Sequence, residues 1–207
     1  MRSLQSWEET KKELEKRGIE KENIKIAFEI AERIKTLDRI IFPEKPRPFC
    51  FVLKESHPGQ SATYGPDNAD DEERSYSIIL ENLSKNLIEE KMVVRGRKYT
   101  WEELLMALAA HEVRHRLQFN SSIRRFSPEA ANSVDDRFLR DVIRLVGLEF
   151  NRKRQILNVR GATKEYIEHV LDPLEFDAEV IEKIVAHKVH EKAPLDEIIS
   201  TIQMQSP

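Results

Sequence analysis

Thr100-Trp101-Glu102-Glu103-Leu104-Leu105-Met106-Ala107-Leu108-Ala109-Ala110-His111-Glu112-Val113-Arg114-His115 is the segment on which both fold and chemistry turn. Threonine followed three residues later by glutamate has the spacing of a capping box, in which each side chain accepts from a backbone N–H that the first helical turn leaves unpaired. Leucine and alanine behind it are strong helix formers, so a helix is predicted from Thr100 to about Phe119. Leu104, Leu105, Ala107, Leu108, Ala109 and Ala110 predict burial of its front end.

The end of the segment is an H-E-x-x-H sequence. Histidines at i and i+4 of a helix project from one face about a turn apart, close enough for two imidazole nitrogens to bind one zinc ion at ~2.0–2.1 Å. Glu112 falls beside that pair, where a carboxylate can take a proton from water without occupying a coordination position. In an apolar helix, two histidines and a glutamate carry a desolvation cost that a cation offsets. The competing reading is two solvated histidines on a charged turn with Arg114 and Arg116.

The rest of the chain sets the frame. Its 207 residues carry 34 Lys and Arg against 37 Asp and Glu, a net charge of −3, with 40% hydrophobic residues and 6 glycines. Such a chain can bury a proper core, and collagen-like, mucin-like and low-complexity classes are excluded. Length allows one domain with appended helices. Cys50, the single cysteine, has no intramolecular disulfide partner and reads as a small core residue. Met1 to Lys16 alternates charges with isolated apolar residues, unlike a signal-peptide core, so a cytoplasmic protein is expected. No stretch approaches the ~20 apolar residues of a spanning helix, which argues against membrane insertion.

Before the H-E-x-x-H helix, a short charged helix is predicted up to about Arg17, ended by Gly18. A second runs from about Lys21 to Leu37, with Ile24, Phe28, Ala31, Ile34 and Leu37 at helical spacing. Pro43, Pro46 and Pro48 break the chain. Strands are expected at Phe49 to Leu53 and Ser75 to Leu80, with a polar loop or flap from Glu55 to Arg74 that could include a short strand at Ala62 to Tyr64. Met92 to Val94 could start a hairpin or a helix-ending loop. Helices are predicted from about Pro128 to Leu157 with a break, from Thr163 to Leu171, from Pro173 to about Glu191, and briefly after Pro194. The expected fold class is α+β, with a small sheet near the front packed and followed by helices.

With His111, Glu112 and His115 on one helix and Asp172-Pro173-Leu174-Glu175-Phe176-Asp177-Ala178-Glu179 opening a later one, the chain resembles the zincin metallopeptidases. The resemblance is to their gluzincin branch, and within it to small peptidases of the ImmA/IrrE kind, where the third zinc ligand is a glutamate in an E-x-x-A pattern that Glu175 and Ala178 match. It implies a zincin-like domain with a small, mostly antiparallel sheet packed on the active-site helix. On that reading residues 1–207 form a single domain, with N-terminal helices in 1–48, sheet and active-site helix in 49–120, and a helical part carrying the third ligand in 121–207. It also implies one Zn2+ per chain on His111, His115 and Glu175, and a substrate strand paired to Ser75–Leu80 as an edge strand, although an ordinary interior strand is an equal alternative there. The 60 residues between His115 and Glu175 exceed the most compact examples, and a helical insertion around Val134 to Leu157 accounts for them.

Glu175 has a second reading. Asp172 can cap the helix with Pro173 first and Glu175 third, and acids in a first turn favour the helix dipole. Asp177 is the alternative ligand, followed by Glu179, Glu168 and His169. A site of two histidines and one carboxylate leaves a position open for water, as catalytic rather than structural zinc sites do. The function expected is therefore hydrolysis of a peptide bond in a protein or peptide substrate, with Glu112 as general base. Tyr166, His169, Tyr64 and His57 are candidates for stabilising the oxyanion.

Charge is uneven beyond the motif. Arg116 to Arg160 holds ten Lys and Arg against five acids, densest at Arg152-Lys153-Arg154, while Gly161 to Pro207 holds four Lys against ten acids. The basic run could meet nucleic acid or an acidic protein, but complementing the acidic segment within the molecule fits as well, and nucleic acid is not the expected partner. The alternative function is a non-catalytic helical interaction module, a degenerate zincin or regulatory protein using that basic segment. The sequence does not specify an oligomeric state.

Overall fold

Ile24, Phe28, Ala31, Ile34 and Leu37 fall on one stripe of a 3.6-residue repeat, and burying that stripe is what makes Lys21–Ile41 a helix. The computed structural model describes residues 7–45, 49–52, 62–66, 74–79, 98–120, 123–164, 167–168 and 171–207, and within the strands the side chains of Tyr76 and Ile78. In chain order the helices are α1 (Trp7–Lys16), α2 (Lys21–Ile41), α3 (Trp101–Asn120), α4 (Arg137–Val159), α5 (Pro173–His190) and α6 (Leu195–Ile202). The strands are β1 (Phe49–Val52), β2 (Ala62–Pro66) and β3 (Arg74–Ile79), and a 3-10 turn spans Pro128–Asn132. The chain divides into two compact units, Met1–Lys91 and Met92–Pro207.

In the first unit Gly18, at φ 81°, ends α1 in the left-handed conformation that lacks a steric penalty only for glycine. The turn it makes lets α1 fold onto α2, with Trp7 edge-on to Phe28 at 5.0 Å. Asp38 is buried on α2 because the Tyr76 hydroxyl of β3 donates to its Oδ1 at 2.5 Å. β3 lies in the middle of a three-stranded sheet, paired parallel to β1 and antiparallel to β2.

One expectation is corrected here and one open alternative is decided. The α+β class, with a mostly antiparallel sheet packed on the H-E-x-x-H helix, gives way to a helical fold. Helices supply nearly all of the described core, and the strands are 4 to 6 residues long and of mixed direction. The two apolar runs are too short to build a layer, whereas most apolar residues follow the helical repeat. Of the two alternatives held open for Ser75–Leu80, the interior strand is the one found for β3. Both sides of β3 are hydrogen-bonded to neighbours, so a peptide cannot add to it as a further strand.

The second unit is built around α3. Its capping box forms as anticipated, Glu103 N–H donating to Thr100 Oγ1 at 3.4 Å and Thr100 N–H to Glu103 Oε2 at 2.6 Å. From Leu104 to Gln118 most side chains are buried, and the partner that covers them most extensively is α5. Ala107 on α3, on the face that carries His111 and His115, and Ala178 on α5 are fully buried and small, which permits a close approach of the two backbones. The expected long helix from Pro128 divides into the 3-10 turn and α4, which Asp136 starts by accepting from Leu139 N–H at 2.7 Å. Between α4 and α5 run two ion pairs, Lys183 to Glu149 at 3.0 Å and Lys153 to Glu179.

Leu53, Leu80, Met92 to Val94 and most of the polar loop, for which strands and turns are expected, lie outside the described residues, as does the Cys50 side chain. Between α4 and α5, Ile167 and Leu171 N–H donate to the carbonyls four residues earlier, in keeping with the helix expected there. No helix among the described residues is long and apolar enough to cross a membrane.

Candidate metal centre

One turn separates His111 from His115 on α3, and their rings meet edge-on with Nε2 atoms 3.1 Å apart. Glu175, in the first turn of α5, reaches both. Its Oε2 is 3.4 Å from His111 Nε2 and its Oε1 3.4 Å from His115 Nε2. Taking one atom from each side chain, the three lie within 4.8 Å of one another, a group that could hold a metal ion. Atoms bound tetrahedrally to one ion at ~2.0–2.1 Å stand about 3.3 Å apart, close to the 3.1 Å between the two histidine nitrogens.

The group is arranged around a positive charge. Glu182, two turns beyond Glu175 on the same face of α5, lies 3.0 Å from His111 Nδ1. A carboxylate only accepts, so Nδ1 carries a hydrogen whether the ring is neutral or charged, and Nε2 is the atom that faces His115 and Glu175. Burial works to lower the pKa of His111, but Glu175 and Glu182 outweigh it and hold it well above the usual histidine range. Glu175 moves the other way. Burial raises it, and the facing rings of His111 and His115 win, leaving the carboxyl well below the ordinary carboxylate range. Three side chains thus compete for one positive charge between them.

Glu112 sits one residue from this focus and is 2% exposed, with its Oε2 lacking a hydrogen-bond partner among the described residues. Burial is the main cause of its pKa rising to about 7, against the opposing charges of His111 and His115. A desolvated carboxyl with one open acceptor costs stability, and such groups persist where chemistry uses them.

The helix cap and the ligand position turn out to be separate residues. Asp172 caps α5, its Oδ1 accepting from Leu174 N–H at 2.6 Å, while Glu175 faces the histidines. Asp177 is not at the centre. Fully buried, it accepts from Arg114 Nε at 2.7 Å and Nη2 at 2.9 Å, from Gln118 Nε2 at 2.7 Å and from Phe126 N–H at 2.8 Å. Arg114 and Arg116, which the solvated reading placed on a charged turn, are buried, and Arg114 also donates to the carbonyls of Ile202 and Met204 at 2.8 Å each. Glu179 pairs with Lys153 and exposed Glu168 with Lys164. Tyr166, His169 and His57 lie outside the described residues, and of Tyr64 only the backbone is described.

Gln118 and Glu182 were missed in the sequence reading although a signal was there. His111, His115 and Gln118 fall at i, i+4 and i+7, and Glu175 and Glu182 at i and i+7, so each set shares one helix face. Comparison with known proteins finds no matching family model, no matching curated protein and no matching solved structure.

Proposed function

We propose that this chain is a zinc-dependent peptidase, holding one Zn2+ per molecule on His111, His115 and Glu175 and using Glu112 as its general base. The ligand pattern is that of the gluzincins, carried on a helical unit. The observation that supports it best is the joint placement of three converging ligand atoms and a buried carboxylate with one open acceptor. Glu175 and Glu182 around His111 already favour a positive charge at this point. When bound, zinc supplies a Lewis acid that polarises a carbonyl and acidifies water.

The protein's own groups do the rest. Glu175 neutralises part of the cation's charge, and Glu182 orients the His111 ring through Nδ1. Glu112 takes a proton from the attacking water and returns it to the leaving amine, the step that splits a peptide bond. Because β3 has no open edge, a protein or peptide substrate is recognised here by some means other than strand addition to β3. A single cysteine fits a cytoplasmic setting.

Glu112→Gln separates base from ligand. Cleavage of an unstructured protein substrate should fall by about 10²–10⁴-fold while zinc content stays at the parent level. Loss of zinc in that variant would make Glu112 a ligand, and undiminished cleavage would remove it from the chemistry.

A further inference from the structure

We infer that Gln118 is a positioning residue that fixes the ring tautomer of His115, and that Asp177, two bonds further out, sets the orientation of Gln118. The inference rests on the metal-site reading only for its consequence, since the tautomer belongs to the protein itself.

Asp177 has only acceptor oxygens, already engaged by Arg114 and by the Phe126 N–H. Gln118 places one end of its amide 2.7 Å from Asp177 Oδ2 and 2.9 Å from the carbonyl of Leu174. Both neighbours are acceptors, so that end is the NH₂ group and the amide cannot be flipped without setting oxygen against two oxygens. Its Oε1 is therefore the atom 2.8 Å from His115 Nδ1. An amide oxygen accepts, so Nδ1 carries the hydrogen. The remaining lone pair of His115 is on Nε2, the atom facing His111 and Glu175.

In its neutral form His115 thus carries its hydrogen on Nδ1 and aims Nε2 at His111 and Glu175. The two histidines reach this state differently. His111 is oriented by a carboxylate, Glu182, and His115 by a neutral amide whose direction is imposed from Asp177. Arg114 neutralises Asp177, so the network fixes a proton's position near the centre without adding net charge to it.

Nitrogen-15 NMR of the histidine rings in the metal-free, full-length protein reads the tautomer directly. At a pH where His115 is neutral it should carry hydrogen on Nδ1 in wild type. In Gln118→Met, which keeps the length and removes the acceptor, Nε2–H should become substantially populated. Zinc affinity, measured by competition with a chromophoric chelator, should weaken about 10–100-fold in that variant while its circular dichroism matches the parent. A wild-type His115 found on Nε2–H overturns the inference, and so does a Gln118→Met protein with unchanged tautomer and unchanged affinity. The wild-type spectrum needs no variant to fold. An Nδ1–H tautomer in a wild-type chain that binds no zinc would uphold the inference and overturn the peptidase reading instead.

Discussion

Asp177 and Glu175 stand two residues apart on one helix and differ in everything that touches them. Glu175 is partly exposed and faces two imidazoles, while Asp177 is fully buried and shares its oxygens among a guanidinium, an amide and a backbone N–H. Charge in an apolar interior is tolerated only when paired and hydrogen-bonded. Removing one partner leaves the other uncompensated, so Asp177→Ala, which strands the Arg114 guanidinium, should lower stability by about 3–5 kcal/mol. Denaturant unfolding of the metal-free protein measures it. A loss below about 1 kcal/mol, the scale of one ordinary hydrogen bond, would mean that the carbonyls of Ile202 and Met204 suffice for Arg114.

At the scale of elements, the site depends on how closely α5 lies against α3. Ala178, one turn after Glu175 and fully buried, permits that approach. Ala178→Leu should cost about 1–3 kcal/mol through overpacking and weaken zinc binding by displacing Glu175. A variant that loses stability but binds zinc as before would show that the ligand position is set elsewhere. The capping box at Thr100, the alanine-rich run and the H-E-x-x-H spacing made α3 legible in the sequence, because each is a local rule within one or two turns. Asp172 and Pro173 marked the start of α5 for the same reason. What lay beyond reach was pairing between elements. Nothing within a turn of Arg114 says that its guanidinium meets an aspartate 63 residues away, and a charge beside the motif read as a solvated face. Strand order was hidden likewise. The runs around Phe51 and Ile78 identify strands, but only the pairing shows that β3 is flanked on both sides.

For the molecule as a whole, a ligand that binds only the folded form stabilises it by mass action, about 2.7 kcal/mol at a free concentration one hundred times its Kd. The ligand atoms of the proposed centre all belong to the unit Met92–Pro207. Amide hydrogen exchange with zinc, then with excess chelator, should therefore slow and quicken in α3 and α5, with α1 and α2 little changed. Equal protection of both units by zinc would point to ligands in Met1–Lys91 as well. Absence of any change in α3 and α5 would contradict the centre described.

The central claim is that two helices bring His111, His115 and Glu175 to one metal ion, and metal analysis of untagged protein tests it most directly. Wild type purified without added chelator should contain about one zinc per chain, and Glu175→Gln, folded by circular dichroism, should contain little or none, because a neutral amide is a far poorer donor to zinc. A wild type free of metal that also fails to take up zinc on titration, or a Glu175→Gln protein that holds zinc as tightly as its parent, would contradict it.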